Sequence, residues 1–296
     1  MIFKKKSRKE KKKKKRKKRY KKNKHDKKRK KEKRFEHSGL YDFLVYLKFL
    51  IQIIYFPIQL IFFFLRLINL KQLISSLDSI KDYIKGSKYT FIIAFLLIIT
   101  TFFGFFIYNY NTSIYENHLV NSIENFQSGR FHSLVTSIFI HGSIYHMISN
   151  ILALIFFGRM VERRLKSKFI LIFFLSGIFS NLLRIFITSS DVGSIGASGA
   201  IAALIPIAVI SNPMSITFFF PMPITTMGFA ILWVINEFAA LSLSNNIAND
   251  VHIFGFSLGF IFGLIFIRNA FYKLLVGIIA NLILGVILYY LGISFL

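Results

Sequence analysis

The chain has 296 residues and a formal net charge of +26, and 54% of its residues are apolar or aromatic. At this length, a positive mean hydropathy of +0.55 predicts a polytopic membrane protein and argues against a soluble domain. The sequence contains no cysteine, which excludes disulfides and thiolate metal sites.

Residues 1–38 form a basic tail that carries most of the net charge. They hold 24 of the 39 Lys and Arg residues but only four of the 13 acidic ones, which amounts to +20 of the total +26. Such dense like charge without apolar side chains predicts disorder. We expect a cytoplasmic tail that contacts anionic lipid headgroups. Nucleic acid is the less favoured partner, because no aromatic interleaving or base-reading motif accompanies the lysines.

Residues 39–88 form a second predicted segment, which precedes the first clear membrane span. Its part 41–70 is apolar enough to enter a bilayer, but an additional crossing would place every later loop on the wrong side for its basic residues. We expect an interfacial amphipathic or apolar helix, or a hairpin that turns near Pro57. A true additional span is the alternative.

Seven apolar stretches follow, and a crossing needs about twenty such residues. They cover residues 89–108, 143–161, 168–187, 198–211, 224–243, 250–267 and 271–293. The fourth stretch is short, which suits a helix buried among the others. The sequence therefore predicts an all-α polytopic membrane protein, with a six-helix core over 89–268 and a seventh transmembrane helix within 269–296.

The basic residues of the loops predict how these spans are oriented. Lys and Arg crowd before the first span, between the second and third, and between the sixth and seventh, whereas the long 110–142 loop contains only Arg130. Since basic loops stay in the cytoplasm, we expect a cytoplasmic N-terminus and an external C-terminus. The cell membrane is the favoured location, and an organelle membrane is left open.

Three of the predicted spans bring polar residues to the same leaflet. The second, fourth and sixth spans all run inward, so their N-terminal ends share the external side. These ends carry His141, His146 and Asn150 on the second span, Ser198 on the fourth, and Asp250 and His252 on the sixth. Polar groups are costly inside a membrane, and we therefore take these residues as functional candidates.

The candidates include a serine and a possible base. A serine hydroxyl needs a base within hydrogen-bond reach, which predicts Ser198 as a nucleophile and His252 as its base in amide hydrolysis through an acyl-enzyme. His146 and Asn150 lie four apart on one helix face and, with the Ser198 backbone N–H, could bind the oxyanion. Asp250 is only two residues from His252, a spacing that points it away on a helix. The residues therefore predict a Ser–His dyad.

Small residues surround the two candidates. Gly196 and Gly199 flank Ser198, while Gly255, Gly259 and Gly263 repeat along the span of His252, and such residues let helix backbones approach closely.

Other polar residues of the spans have more ordinary explanations. Glu162 suits an ion pair with nearby arginines, and Arg184, Asn236 and Glu237 suit helix contacts or the lining of a gate. The histidines lack a His-Glu-x-x-His arrangement, so we expect no metal and no cofactor.

Taken together, these motifs resemble the rhomboid family of intramembrane serine proteases over residues 115–268. The strings that carry the resemblance are Phe139-Ile140-His141, His146-x-x-x-Asn150, Gly196-x-Ser198-Gly199 and His252-x-x-Gly255-x-x-x-Gly259. The resemblance implies Ser198 as nucleophile, His252 as base and an oxyanion hole of His146 and Asn150, with His141, Gly196 and Gly199 as auxiliary residues. It also implies transmembrane protein substrates, cleaved near the outer surface, and an external cavity gated by the fifth span.

The chain departs from the family pattern at several positions. Ala202 replaces an aromatic residue that packs on the histidine in many members, and Phe254 or Phe256 could supply a ring instead. A Trp-Arg pair of the first external loop reads His132-Ser133 here.

These departures keep a second hypothesis open, a rhomboid-like pseudoprotease that binds transmembrane helices without cleaving them. A transporter or channel is a third, but the sequence lacks the internal repeat that such proteins often carry.

Overall fold

The computed structural model describes residues 39–64, 78, 80–81, 83–187, 193–219, 222–241 and 248–290. The predicted basic tail, residues 1–38, lies outside the described residues, as do parts of the segment 39–88 and the last residues of the seventh predicted span.

The described chain is built almost entirely of helices. In chain order these are α1 (Gly39–Phe64), α2 (Lys88–Tyr110), α3 (Thr112–Leu119), α4 (Ile123–Gln127), α5 (Ser133–Phe139), α6 (Ile144–Leu165), α7 (Lys168–Ile187), α8 (Ser198–Ser211), α9 (Thr226–Leu241), α10 (Asn249–Phe266) and α11 (Ala270–Tyr290). Helix α6 contains a π-helical turn at Leu154–Gly158, and α8 contains a turn at Ala203. The all-α polytopic membrane fold is thus confirmed.

Five helices of the described chain are long and apolar enough to cross a membrane, namely α2, α6, α7, α10 and the Ala270–Ile287 part of α11. The fourth and fifth predicted spans correspond to the shorter helices α8 and α9, of 14 and 16 residues. Each predicted span therefore has a helix at its position, while the number of crossings stays a prediction.

A short β-hairpin between α8 and α9 departs from the purely helical expectation. Strand β1 (Ile216–Phe219) pairs antiparallel with β2 (Met222–Thr225), with Ile216 opposite Thr225. The predicted fifth span began at residue 224, which was wrong because 224–225 belong to β2. Since β-branched and aromatic residues favour strands, a run of such residues here is ambiguous in the sequence.

Helix α1 continues through Pro57 over its 26 residues, so the predicted hairpin at that proline was wrong. The helix also packs against the rest of the described fold. The ring of Phe49 stacks on Tyr83 at 4.2 Å, and the Tyr46 hydroxyl donates a hydrogen bond to the Leu152 carbonyl of α6. Segment 39–64 is therefore a helix attached to the bundle.

The short helix α8 forms the centre of the bundle. Its apolar residues are almost fully buried, and Leu204, Ile207 and Ile210 have no exposed surface. Helices α6, α7, α10 and α11 all contact it. The site residue at its first position, Ser198, is thus fixed by a helix that is enclosed by protein.

Helices α8 and α10 pack with their backbones in direct contact. A Cβ atom added to Gly255 would lie 2.0 Å from the carbonyl oxygen of Gly199, and one added to Gly259 would lie 2.0 Å from that of Ala203. Only glycine fits at these two positions of α10, as expected for small residues at a close helix crossing.

Glu162 of α6 holds the start of α2 in place. Its carboxylate accepts hydrogen bonds from the backbone N–H groups of Tyr89 and Thr90 at 3.0 and 2.8 Å, and from the Thr90 hydroxyl at 2.7 Å. A carboxylate is favourable there because the first N–H groups of a helix lack intrahelical partners. Glu162, which was expected in an ion pair with arginines, thus makes a helix-capping contact.

Candidate active site

The structure brings Ser198 and His252 into hydrogen-bond contact. Ser198 is the first residue of α8, and His252 lies in the first turn of α10. The Ser198 Oγ atom is 2.8 Å from His252 Nε2. This is the distance at which an imidazole can accept the proton of a hydroxyl nucleophile. The glycine packing between α8 and α10 lies one turn further into the bundle and sets the spacing of the pair.

A carboxylate contacts the other ring nitrogen of His252, so that three side chains form a hydrogen-bonded line. Glu237 of α9 places Oε2 at 2.9 Å from His252 Nδ1, and its side chain is buried, with the residue 6% exposed. In the neutral imidazole one nitrogen donates and the other accepts. A carboxylate at Nδ1 selects the form in which Nδ1 carries the proton and Nε2 accepts from Ser198.

Sequence reasoning had assigned Glu237 to helix contacts or a gate, and the geometry adds a contact that it missed. An acid near the external end of a predicted span was the available signal. What the sequence did not contain was the rotation of α9 about its axis, which decides whether the acid faces His252 or lipid.

An aromatic ring lies beside His252, although it comes from neither Phe254 nor Phe256. The Trp233 ring of α9 is 6.3 Å from the imidazole, centroid to centroid, and Phe256 stacks on that indole at 5.5 Å. Ala202, where the family pattern has an aromatic residue, lines a cavity together with Trp233. The ring near the histidine is therefore supplied by a different helix.

Asp250 belongs to a separate ion pair. Its carboxylate contacts the guanidinium of Arg184 from α7, and the two side chains are only 13% and 9% exposed. It also accepts a hydrogen bond from the Val251 backbone N–H at 2.9 Å. The acidic residue adjacent to His252 in sequence is thus engaged with α7, whereas the more distant Glu237 reaches the imidazole.

His146 and Asn150 border a cavity next to the serine. Both line a cavity of about 450 Å³ together with Ser198 and His252. The Asn150 side-chain amide donates to the His146 carbonyl at 2.9 Å, which uses one of its two hydrogens. The second hydrogen is available to an oxygen that enters the cavity.

The segment before Ser198 is shaped by Gly196. Its φ of +118° is a conformation that favours glycine, and a Cβ atom there would lie 2.8 Å from the His146 ring. Its backbone N–H donates to the Ser137 carbonyl at 2.8 Å. Gly199 is also restricted, since a Cβ atom there would lie 2.7 Å from the Val251 side chain. Steric contact with neighbouring side chains therefore explains why glycine occupies both positions.

His141 contacts the same segment, which directly precedes Ser198. It lies between α5 and α6 and is 1% exposed, with Nδ1 at 2.9 Å from the Thr101 hydroxyl and Nε2 accepting from the Ala197 backbone N–H at 3.4 Å. Burial lowers the pKa of His141 to about 3, with the neighbouring His146 as a smaller cause. A neutral His141 thus holds Ala197, the residue directly before the serine.

Two cavities meet at Ser198 and His252. The larger, of about 450 Å³, is bordered by Tyr145 and the segment 193–196. The smaller, of about 190 Å³, extends between α6 and α9 and has the apolar residues Phe157 and Phe229 in its wall. A chain that reaches the hydroxyl would therefore meet a polar region on one side and an apolar region on the other. Within the described residues, no group of three His, Asp or Glu is arranged to hold a metal ion.

The helical membrane fold and the serine–histidine–carboxylate line define a polytopic membrane protein with the chemical groups of a serine hydrolase. Comparison with known families is consistent with this class. Residues 128–269 match the model of the rhomboid domain, so this part of the chain is similar to the rhomboid family.

Curated relatives carry the same family name. The chain is 29% identical over 168 residues to RHOMBOID-like protein 12, mitochondrial, of Arabidopsis thaliana, which covers 49% of each protein. It is 28% identical over 138 residues to the rhomboid protease GlpG of Yersinia pseudotuberculosis, covering 46% of this chain and 48% of that one. RHOMBOID-like protein 1 of Arabidopsis thaliana is 27% identical over 135 residues, or 45% of this chain and 34% of the relative. The chain thus spans about half or less of the length of these relatives.

Proposed function

We propose that the protein is an intramembrane serine endopeptidase that cleaves membrane-anchored proteins near the external leaflet. The observation that carries this proposal is the 2.8 Å contact between Ser198 Oγ and His252 Nε2, within a rhomboid domain and at the edge of a cavity. The relatives that are named proteases support the same activity.

The first half of the reaction forms an acyl-enzyme. Ser198 Oγ attacks the carbonyl carbon of the scissile peptide bond while His252 Nε2 takes the hydroxyl proton. The tetrahedral intermediate collapses, the C–N bond breaks, and the imidazolium returns its proton to the leaving amine. Water then attacks the ester with His252 again as base, which releases the new carboxylate and restores the serine hydroxyl.

The oxyanion of the intermediate needs donors in fixed positions. The backbone N–H of Ser198 is at the start of α8, where a helix has no internal acceptors for its first N–H groups. The His146 ring and the free hydrogen of the Asn150 amide lie on the same side of the cavity. Three donors of this kind stabilise a negative oxygen.

Topology and partners follow from the charge pattern. The basic residues before α2, after α6 and before α11 favour a cytoplasmic N-terminus and a cavity mouth on the external side. Transmembrane proteins are then the substrates, and the basic tail 1–38 binds anionic lipid headgroups. The cell membrane is the proposed location.

A pseudoprotease that binds helices without cleavage is the second candidate, because Ala202 stands where an aromatic residue often supports the histidine. The position of Trp233 beside His252 favours the active enzyme over this candidate.

Labelling with an activity-based fluorophosphonate tests the proposal. We expect the purified wild-type protein in detergent to be labelled, and Ser198→Ala and His252→Ala to be unlabelled while melting at an unchanged temperature. Ser257→Ala is the matched control, since Ser257 is exposed on α10 and bonds only to the Ile253 carbonyl there. An unlabelled wild-type protein, under conditions that label another rhomboid protease, would favour the pseudoprotease.

A further inference from the structure

Glu237 stands out because it is a buried acid whose carboxylate meets the second nitrogen of His252. The two hydrogen bonds, from Glu237 Oε2 to Nδ1 at 2.9 Å and from Nε2 to Ser198 Oγ at 2.8 Å, use both ring nitrogens at once. An ionised carboxylate in a membrane protein interior is costly unless it is hydrogen-bonded or paired. Helix packing alone therefore does not explain why this carboxylate lies against the imidazole.

The interface between α9 and α10 supplies that explanation. Trp233 and Glu237 lie four residues apart on α9, and His252 and Phe256 lie four residues apart on α10, so each pair shares a helix face. The two faces meet, with Glu237 bonded to His252 and the Trp233 indole near both the imidazole and the Phe256 ring. The imidazole is consequently held at Nδ1 by a carboxylate and beside its ring by an indole.

The other charged groups near the imidazole do not offer the same contact. Asp250 is engaged by Arg184 of α7. His146, another residue of the cavity lining, has a ring packed against Gly196. Within the described part of the chain, the carboxylate that is bonded to His252 is thus the one on α9.

We propose that Glu237 is a positioning residue that acts through His252, so that the serine is activated by a line of three residues and not by a dyad. This inference rests on the proposed protease function. The carboxylate accepts the Nδ1–H proton, which keeps Nε2 free to accept the proton of Ser198, and it stabilises the imidazolium that forms when Ser198 Oγ attacks. Glu237 itself keeps its charge throughout, and no proton passes to it.

Fluorophosphonate inactivation kinetics test this role on the full-length protein in detergent. Glu237→Gln keeps the size of the side chain but removes its charge, and its amide can donate to Nδ1 and favour the wrong tautomer. We expect the maximal inactivation rate constant to fall about 100- to 10,000-fold, with little change in the apparent affinity for the probe. Asn236→Ala is the matched control, since the adjacent Asn236 is exposed on the other face of α9, and it should leave the rate unchanged.

The tautomer of His252 gives a second measurement that a purely structural role would not alter. In ¹⁵N-histidine NMR spectra, assigned by comparison with His252→Gln, the wild-type imidazole should carry its neutral-state proton on Nδ1, and Glu237→Gln should increase the Nε2-protonated form.

The outcomes separate the two proposals. A wild-type protein that is labelled, with labelling lost in Ser198→Ala but unchanged in rate and tautomer in Glu237→Gln, would overturn the role of Glu237 alone. A wild-type protein that is not labelled at all would overturn the protease function and this inference with it. A slower Glu237→Gln variant with an unchanged melting temperature and an altered tautomer would establish the positioning role.

Discussion

Gly255 of α10 lies directly against Gly199 of α8, so closely that a methyl group on Gly255 would be 2.0 Å from the Gly199 carbonyl oxygen. Gly199 follows the serine, and Gly255 is three residues after His252. The contact between two glycines therefore sets how far the two reacting side chains are from one another.

The first prediction concerns this contact. Gly255→Ala should push α10 away from α8, destabilise the protein by about 1–3 kcal/mol and lower the labelling rate of Ser198 at least about 100-fold, since a misplacement of about 1 Å has such an effect. Gly285→Ala on α11 is the control, because an added Cβ there meets nothing within 4 Å. Equal labelling of the two variants would contradict the prediction.

The second prediction concerns the oxyanion. Asn150→Ala should lower the turnover of a transmembrane substrate by about 10- to 1000-fold, with a smaller change in KM, because it removes one of several donors. Asn117→Ala, on α3, serves as the control. A change confined to KM would assign Asn150 to substrate binding instead.

The third prediction separates stability from chemistry. Glu162→Gln leaves the N-terminus of α2 without a charged acceptor and should destabilise the folded protein by about 1–3 kcal/mol. Turnover at a temperature where both proteins are folded should change little, because Glu162 lies at the far end of α6 from His146. Melting temperatures in detergent measure the first effect, and Glu124→Gln, whose carboxylate is exposed, should leave them unaltered.

The fourth prediction is a dependence of stability on pH. His141 has a pKa of about 3 in the folded protein and about 6.5 when unfolded, so between these values the unfolded state binds more protons. Its contribution to stability is therefore complete above about pH 6.5 and is lost as the pH falls, by about 2 kcal/mol at about pH 5. The melting temperature of the wild type should decrease accordingly.

A variant at the same position tests whether His141 is the source. His141→Gln should show a weaker decrease of melting temperature than the wild type between about pH 7.5 and pH 5. Parallel curves for the two proteins would assign the effect to other groups.

Much of the architecture could be predicted because it follows from hydrophobic length and loop charge. The apolar stretches predicted seven of the helices, and the direction of alternate spans predicted that Ser198 and His252 share a leaflet. The partners of single side chains could not be predicted in this way. Whether Glu237 meets His252, or Glu162 meets the start of α2, depends on helix rotation and crossing, which sequence periodicity does not determine when nearly every face is apolar.

The local secondary structure could also not be predicted from the sequence in two places. Residues 216–219 and 222–225 are compatible with both a membrane helix and a strand pair, and they form β1 and β2. Pro57 favours a turn, yet α1 passes through it, which costs the helix one backbone hydrogen bond.

Helix α9 carries both Glu237 and Trp233, and it also forms one wall of the smaller cavity beside Ser198. If α9 tilts outward to widen that cavity for an incoming helix, it takes the carboxylate and the indole away from His252 in the same movement. The open molecule would then hold an unactivated serine, and peptide cleavage would have to wait until α9 had closed over its substrate. The position of α9 that lets a substrate helix enter would thus differ from the position that activates Ser198. Proteins that only diffuse past in the bilayer would therefore not be hydrolysed.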